Sequence, residues 1–273
     1  MQPVLQSQQS PPGLHRRMHM MFAWSGVVAV ALFLIACVPL MHWIPTPVRP
    51  ISSGEEALAF YSSNQTSFRF GLVVMMMVCP CYVMWGSAIA AQTRRIEHRM
   101  APVLTYTQLA SISAAMFNVV MFIFLAGAAS YRPEALSPGA MLWVNDLLWI
   151  TFDFMVAPLS LWAACMGLAI LMDQRPQPAY PRWSAWMNFW AAFLMLTGEF
   201  LLFFRDGPMA YDGLFGLYWP AFVFLVWIVF MSALTARAVK RDWDSGQIPL
   251  QEHHAEVSSA ETIGHPATFA TRS

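Results

Sequence analysis

The sequence predicts an all-α membrane protein, a bundle of six transmembrane helices with both chain ends in the cytoplasm. Of its 273 residues, 58% are apolar and 11% are charged, whereas an ordinary soluble domain has about 25% charged residues. A helix needs about 20 mostly apolar residues to cross the hydrocarbon core of a bilayer. The chain has six apolar segments of that length, and 273 residues can hold them with short connections.

The predicted spans lie between two polar tails, 1–20 and 241–273, which we expect to be disordered. The connection 45–69 is the longest loop, and acidic residues follow Ser53 as they do at a helix N-terminus, so a short helix is expected there. The fourth span is long and contains Pro158, which predicts a kink or an interfacial turn. The predicted spans are 22–44, 70–92, 107–129, 141–172, 183–204 and 214–237.

The basic residues orient the predicted bundle. With the N-terminus inside, eleven of them fall on the cytoplasmic side and four on the outside, which is the asymmetry of the positive-inside rule. The eleven are Arg16, Arg17, Arg94, Arg95, Arg99, Arg175, Arg182, Arg237, Lys240, Arg241 and Arg272. The four are Arg49, Arg69, Arg132 and Arg205.

Amphipathic aromatic rings favour the headgroup level of a membrane. Six such residues lie near predicted span ends and are expected to be anchors there. They are Trp43, Trp143, Trp183, Tyr180, Tyr211 and Tyr218.

The first span contains Leu34-Ile35-Ala36-Cys37, which fits the lipobox of bacterial lipoproteins. Cleavage there would make Cys37 a lipidated N-terminus and leave five spans. The apolar run continues through Met41 and completes about 20 residues. We therefore favour an ordinary first span.

Three carboxylates are predicted to lie inside the membrane, where a charge is costly unless it is paired or hydrated. Asp146 and Asp153 are seven residues apart in the fourth span, which places both on one helix face about 10 Å apart. Glu199 lies in the fifth span. A shared polar cavity open to the outside would let them relay a proton or cation. The alternative is that Asp146 and Glu199 are hydrated near the interface.

Four further polar residues are candidates for the same site. Asn145 precedes Asp146, and Asn118 lies in the third span; either amide extends the site or only joins helices by hydrogen bonds. In the connection between the fifth and sixth spans, Arg205 and Asp206 form either an ion pair at the surface or the lip of an entrance.

Cys79-Pro80-Cys81 lies in the second span and is flanked by methionines. Soft sulfur ligands select Cu(I), and Cys-Pro-Cys in a membrane helix is similar to the metal-passing motif of heavy-metal ATPases. The chain lacks the phosphorylation and nucleotide-binding domains of those pumps, and its 20 methionines make runs of methionine less informative. We expect no metal and no cofactor, and Cys79 and Cys81 are only weak candidates.

Four segments carry a recognisable pattern: PVLTYTQL at 102–109, VNDLLW at 144–149, PRW at 181–183, and the loop 203–213. Together they resemble a family of bacterial polytopic inner-membrane proteins for which no activity is established. The resemblance covers about 53–237 and implies a multi-pass protein of the inner membrane. The family pattern has Lys-Thr where this chain has Arg205-Asp206 and Asn-Gly where it has Asp212-Gly213, and it lacks the Cys-Pro-Cys.

The sequence contains no phosphate-binding loop, nucleophile elbow or dinucleotide fingerprint, and its zero net charge without a basic stripe excludes a nucleic-acid partner. We expect a carrier or accessory subunit for a small hydrophobic molecule, coupled to protons through the carboxylates. One alternative is a cofactor-free membrane enzyme that uses carboxylate acid–base chemistry on a lipid-like or isoprenoid-like substrate. Another is a structural subunit. The expected partners are the bilayer and the ligand. The sequence leaves open whether the chain also binds another membrane protein or forms a homo-oligomer.

Overall fold

The structure is a computed structural model that describes residues 12–245. Within that range the chain is helical and has no β-strand. Short 3₁₀ or π-type turns occupy Ala36–Leu40, Pro133–Ala135, Leu196–Phe203 and Leu214–Tyr218. The α-helices are α1 Pro12–Ile35, α2 Gly54–Ser63, α3 Gln65–Ile96, α4 Val103–Tyr131, α5 Pro138–Asp153, α6 Val156–Met172, α7 Trp183–Met195 and α8 Trp219–Asp244.

Six helical segments of the described chain are long and apolar enough to cross a membrane. The prediction of an all-α bundle with six spans is confirmed. The fourth segment combines α5 and α6, and the fifth combines α7 with its 3₁₀ extension. The segments are Gly13–Leu40, Gln65–Ile96, Val103–Tyr131, Pro138–Met172, Trp183–Phe203 and Leu214–Asp244.

The segments alternate in direction, so the bundle has two distinct ends. We call one the tail end; it carries the start of α1, the end of α8 and the connections 97–102 and 173–182. We call the other the cap end; it carries the connections 41–53, 132–137 and 204–213, together with α2. The short helix predicted after Ser53 is therefore present. The Ser53 Oγ accepts a hydrogen bond from the Glu56 N–H at 3.3 Å, and the Ser53 N–H donates to the Glu56 carboxylate.

The predicted tails are too long. Residues 12–20 belong to α1, residues 241–244 belong to α8 and Ser245 follows it, while residues 1–11 and 246–273 lie outside the described residues. The helices continue past the apolar stretch because arginine and lysine are good helix formers and because their side chains reach carboxylates on neighbouring helices. Arg16 lies 3.5 Å from Asp244, and Arg95 bonds to Asp242.

Three tryptophans from α3, α6 and α8 pack against one another in the middle of the bundle. Trp85, Trp162 and Trp227 meet edge to face with ring centroids 4.9 to 5.4 Å apart, an arrangement that aromatic quadrupoles favour. Gly26 lets α1 approach this group, since a Cβ there would lie 2.6 Å from the Ser232 Oγ and 2.7 Å from the Trp85 ring. Small residues of this kind bring membrane helices close together.

The six aromatic anchors predicted at the span ends differ in exposure, and Tyr218 is half-buried. Trp143 and Trp183 are exposed, as anchors are, with 65% and 52% of their surface accessible. The prediction is wrong for Trp43, Tyr180 and Tyr211, which are at most 5% exposed. They are buried because connecting segments fold over the bundle ends and cover them.

The connection 173–182 is held to the tail end by a carboxylate. Asp173 is buried, which favours its neutral form, yet the hydrogen bonds from the Arg175 guanidinium and from the Ala179 N–H at 2.8 Å lower the pKa of this carboxyl below its ordinary value. Arg241 of α8 donates to the Pro178 carbonyl at 2.6 Å. The loop is thereby fixed to α8.

A buried glutamate caps the N-terminus of α4. The Glu97 carboxylate, which is 2% exposed, accepts hydrogen bonds from the N–H groups of Leu104 and Thr105 at 2.8 and 2.9 Å and from the Thr105 hydroxyl at 2.6 Å. These are N–H groups that the first turn of a helix leaves without an internal partner. Glu97 therefore joins the end of α3 to the start of α4.

We expect Glu97→Ala to lower the free energy of unfolding by about 2 kcal/mol, because three buried donors lose their acceptor. Thermal unfolding of the detergent-solubilised protein, followed by circular dichroism, measures the change. Glu134→Ala is the control, because Glu134 is an exposed glutamate in a short turn at the cap end. Equal stability of the two variants would contradict the capping role.

Candidate functional site

The fourth span is interrupted between Asp153, where α5 ends, and Val156, where α6 begins. Pro158 explains the interruption, since proline has no N–H to donate to the carbonyl four residues earlier. That carbonyl belongs to Phe154. The Nδ2 of Asn118 on α4 donates a hydrogen bond to it at 3.4 Å. The helix is thus interrupted where Pro158 predicts a kink or a turn, and Asn118 supplies the bond that the helix lacks.

Glu199 provides a hydrogen-bond acceptor on the α6 side of the interruption. It lies in the 3₁₀ extension of α7, and its Oε1 accepts a hydrogen bond from the Ala157 N–H at 3.0 Å. A carboxylate is favoured at this position because the first turn of a helix carries partial positive charge. The half-buried Glu199 is thus an N-terminal cap of α6 that comes from another span.

Asp153 is the least solvated of the three predicted carboxylates, with 3% of its surface exposed. Within residues 12–245 its Oδ2 has no hydrogen-bond partner. It lies in the last turn of α5, where the helix carries partial negative charge, and Glu199 acts on it electrostatically. We call the group of Asn118, Asp153, Ala157 and Glu199 the break site.

Asn145 and Asp146 belong to a different group, nearer the cap end. Tyr61 of α2 donates to the Asn145 Oδ1 at 3.0 Å, and the Asn145 Nδ2 donates to the Tyr211 hydroxyl at 3.2 Å. The Tyr211 hydroxyl donates in turn to the Asp146 carboxylate at 3.1 Å. We call these four residues the cap network. Burial raises the pKa of both tyrosines, which keeps their hydroxyls protonated as donors.

The two residues of the loop 204–213 that the sequence singled out have separate roles. Among the described side chains no ion pair joins Arg205 to Asp206; the Asp206 Oδ1 accepts from the Gly207 N–H at 2.8 Å in a turn where Gly207 has a φ of 84°. Arg205 is exposed and acts electrostatically on Asp146. The ion pair of this loop is instead Arg49 with Asp212, at 2.6 Å.

An apolar cavity of about 50 Å³ lies inside the bundle beside the break site. Phe152, Met155 and Val156, which flank Asp153 in sequence, line it, and so does Met195, just before the 3₁₀ extension that carries Glu199. Tyr82 also lines the cavity, and its hydroxyl has no hydrogen-bond partner among the described residues. The cavity can hold a small apolar group.

The three carboxylates do not meet in one polar cavity. Asp153 and Glu199 are electrostatic neighbours at the break site, whereas Asp146 is held in the cap network two helical turns away. None of the three is among the described residues that line the interior cavity. The structure thus brings Asp153 and Glu199 together, whereas Asp146 is engaged separately by Tyr211 of a connecting segment.

Comparison of the chain with family models, curated proteins and solved structures finds no match. The resemblance described above stays a prediction.

The weak metal candidates lie on α3, away from any cluster of ligands. Cys79 and Cys81 are half-buried, and the Cys81 carbonyl accepts a hydrogen bond from the Ser25 hydroxyl at 2.9 Å. Among the described residues no group of three or more His, Cys, Asp or Glu side chains could hold a metal ion. Cys37 is a buried free cysteine in the turn after α1.

Sequence reasoning missed two buried tyrosines: Tyr61, which donates to Asn145 in the cap network, and Tyr82, which lines the interior cavity. Tyr61 lies in the short helix expected in the connection 45–69, and Tyr82 directly follows Cys79-Pro80-Cys81. Both are tyrosines in otherwise apolar surroundings, and a buried hydroxyl usually finds a partner. That rule is the only signal in the sequence that could have singled them out.

The bond between Asn118 and Phe154 is testable with a double-mutant cycle. In the native background Asn118→Ala should destabilise the protein by about 1 kcal/mol, because a buried carbonyl loses its donor. In a Pro158→Ala background the new N–H can bond to Phe154, so the same substitution should cost much less. Thermal unfolding of the four proteins measures both costs. Equal costs in the two backgrounds would exclude the compensation.

Proposed function

We propose that the protein is a membrane carrier for a small hydrophobic molecule and that the break site couples its movement to protons. The observation that carries the proposal is the interrupted fourth span, with Asp153 and Glu199 at the interruption and an apolar cavity beside it. Many membrane carriers bind substrates and coupling ions where a helix is discontinuous, because the interrupted backbone offers polar groups inside the membrane.

The surroundings of Asp153 favour a proton there. The side chain is buried, one of its oxygens has no donor among the described residues, and it lies in the last turn of α5, whose end carries partial negative charge. Glu199 differs, because it accepts the Ala157 N–H as a charged cap does. We infer that Asp153 is the group that takes up and releases the proton, while Glu199 keeps α6 in position.

The apolar lining of the cavity favours a small ligand that has no strongly polar groups. Its lining residues from the break, Phe152, Met155 and Val156, lie on the same short stretch as Asp153. A ligand that enlarges the cavity would therefore displace the segment that holds Asp153 and alter its contact with water. This link between ligand and proton is the coupling that a carrier requires.

An enzyme is the second candidate, favoured by one observation. Tyr82 lines the cavity and its buried hydroxyl has no hydrogen-bond partner among the described residues, and Asp153 adjoins the lining residue Phe152. A tyrosine and a carboxylic acid next to an apolar cavity could exchange protons with a lipid-like substrate without a cofactor. The two candidates differ in whether the bound molecule leaves chemically changed.

Asp153→Asn should abolish proton coupling, because the amide cannot take up a proton. Proteoliposomes with a trapped pH dye are given an outward gradient of indole, a small uncharged apolar probe whose passive diffusion carries no protons. We expect the wild-type protein to change the internal pH and the variant to do so at least tenfold more slowly. The infrared band of a protonated carboxylic acid should be present in the wild type and lost in the variant.

Glu55→Gln is the matched control, since Glu55 is an exposed carboxylate of α2, and it should behave as the wild type does. Equal proton movement with and without Asp153, or no infrared band in the wild type, would rule out the proton role. Recovery of chemically altered indole, detected by mass spectrometry, would favour the enzyme.

We further propose that the tail end faces the cytoplasm and that the membrane is the inner membrane of a bacterium. Ten basic residues of the described chain lie at or beside the tail end and four at the cap end, as the positive-inside rule requires for a cytoplasmic tail end. In intact cells a membrane-impermeant maleimide should label Ser62→Cys, at the cap end, but not Gln177→Cys, at the tail end. The reverse pattern would refute this orientation.

A further inference from the structure

A groove of about 790 Å³ runs along the outside of the bundle between α3 and α4, towards the cap end. Its walls are apolar, and several of the side chains that form them are open to the surroundings. Val73 and Met76 of α3 are 58% and 53% exposed, and Phe124 of α4 is 74% exposed. In a membrane-spanning bundle this surface faces lipid.

The α4 wall of the groove includes one stretch of small residues. Gly127, Ala128 and Ala129 follow one another along the lining. A Cβ placed on Gly127 would have no atom within 4 Å, so the space over this residue is open. At this point an aliphatic chain has room to lie against the α4 backbone.

The cap end of the groove is positively charged. The Arg69 guanidinium donates to the carbonyls of Ser130 and Tyr131 at 2.6 to 3.0 Å and thereby neutralises the negative end of α4. Arg132 lines the groove, is exposed, and has its guanidinium 5.6 Å from the centre of the Tyr131 ring. Among the described residues Arg132 has no carboxylate partner; Glu134, two residues on, is exposed and unpaired.

We propose that this groove binds an anionic phospholipid, with one acyl chain along Gly127 and the phosphate at Arg132. The charge decides the choice of occupant, because an unpaired arginine at the end of an apolar groove complements a phosphate at the end of an acyl chain. The site is separate from the break site and does not depend on the proposed carrier function.

Two substitutions test the two halves of the site. Purified protein is equilibrated with equal amounts of phosphatidylglycerol and phosphatidylcholine, and native mass spectrometry counts the retained lipids. Gly127→Leu should reduce the retention of both lipids, because the side chain fills the open space without touching the bundle. Arg132→Gln should leave total retention nearly unchanged but reduce the ratio of phosphatidylglycerol to phosphatidylcholine about fivefold.

The controls are Gly13→Leu, which adds the same side chain at a helical glycine that also has open space around it, and Arg182→Gln, which removes an exposed charge from the tail end. Both should match the wild type. Retention of phosphatidylglycerol by Gly127→Leu at the wild-type level would overturn the acyl-chain site. An unchanged lipid ratio in Arg132→Gln would overturn the phosphate contact. A wild-type dimer that Gly127→Leu dissociates, with lipid retention unchanged, would assign the groove to a second copy.

Discussion

The structure depends on one constraint, which is that a backbone group inside a bilayer has no water to bond to. A continuous helix meets this requirement by itself, but Pro158 prevents the fourth span from doing so. Side chains from two other spans bond to the backbone groups that the interruption leaves unpaired. Asn118 donates to the Phe154 carbonyl, and Glu199 accepts a hydrogen bond from the Ala157 N–H. The third and fifth spans are thereby tied to the fourth at the same level, and polar residues concentrate where the helix is broken.

α5 links this interruption to the cap end. Asp146 and Asp153 are separated by two helical turns, and each belongs to a different polar group. The cap network joins α5 to α2 and to the loop 204–213 through neutral hydroxyl and amide groups, and it is reinforced by stacking of Trp149 between Trp43 and Tyr211. The break site has fewer hydrogen bonds, and Asp153 retains an unpartnered oxygen. The cap network is therefore the more densely hydrogen-bonded of the two groups.

The features that depend on local sequence were predictable. Six runs of about 20 apolar residues gave the spans, Pro158 gave the kink, and Ser53 with Glu56 gave α2. The features that depend on how distant segments meet were not. The burial of Trp43 and Tyr211 follows from connections that fold back over the bundle, and the contact of Asn118 with Phe154 requires the relative rotation of α4 and α5. The division of the carboxylates into two groups likewise has no counterpart in residue spacing, which placed Asp146 and Asp153 on a common face.

The 3₁₀ extension of α7 makes the fifth span longer than an α-helix with the same number of residues. A 3₁₀ helix rises about 2.0 Å per residue and an α-helix about 1.5 Å, so the eight residues Leu196–Phe203 extend about 4 Å further than they would as α-helix. Conversion of this segment to α-helix would shorten it by that amount and rotate its side chains. Glu199 would then leave Ala157, and the first turn of α6 would lose its cap. The contact of Glu199 with α6 therefore depends on the length of this 3₁₀ segment.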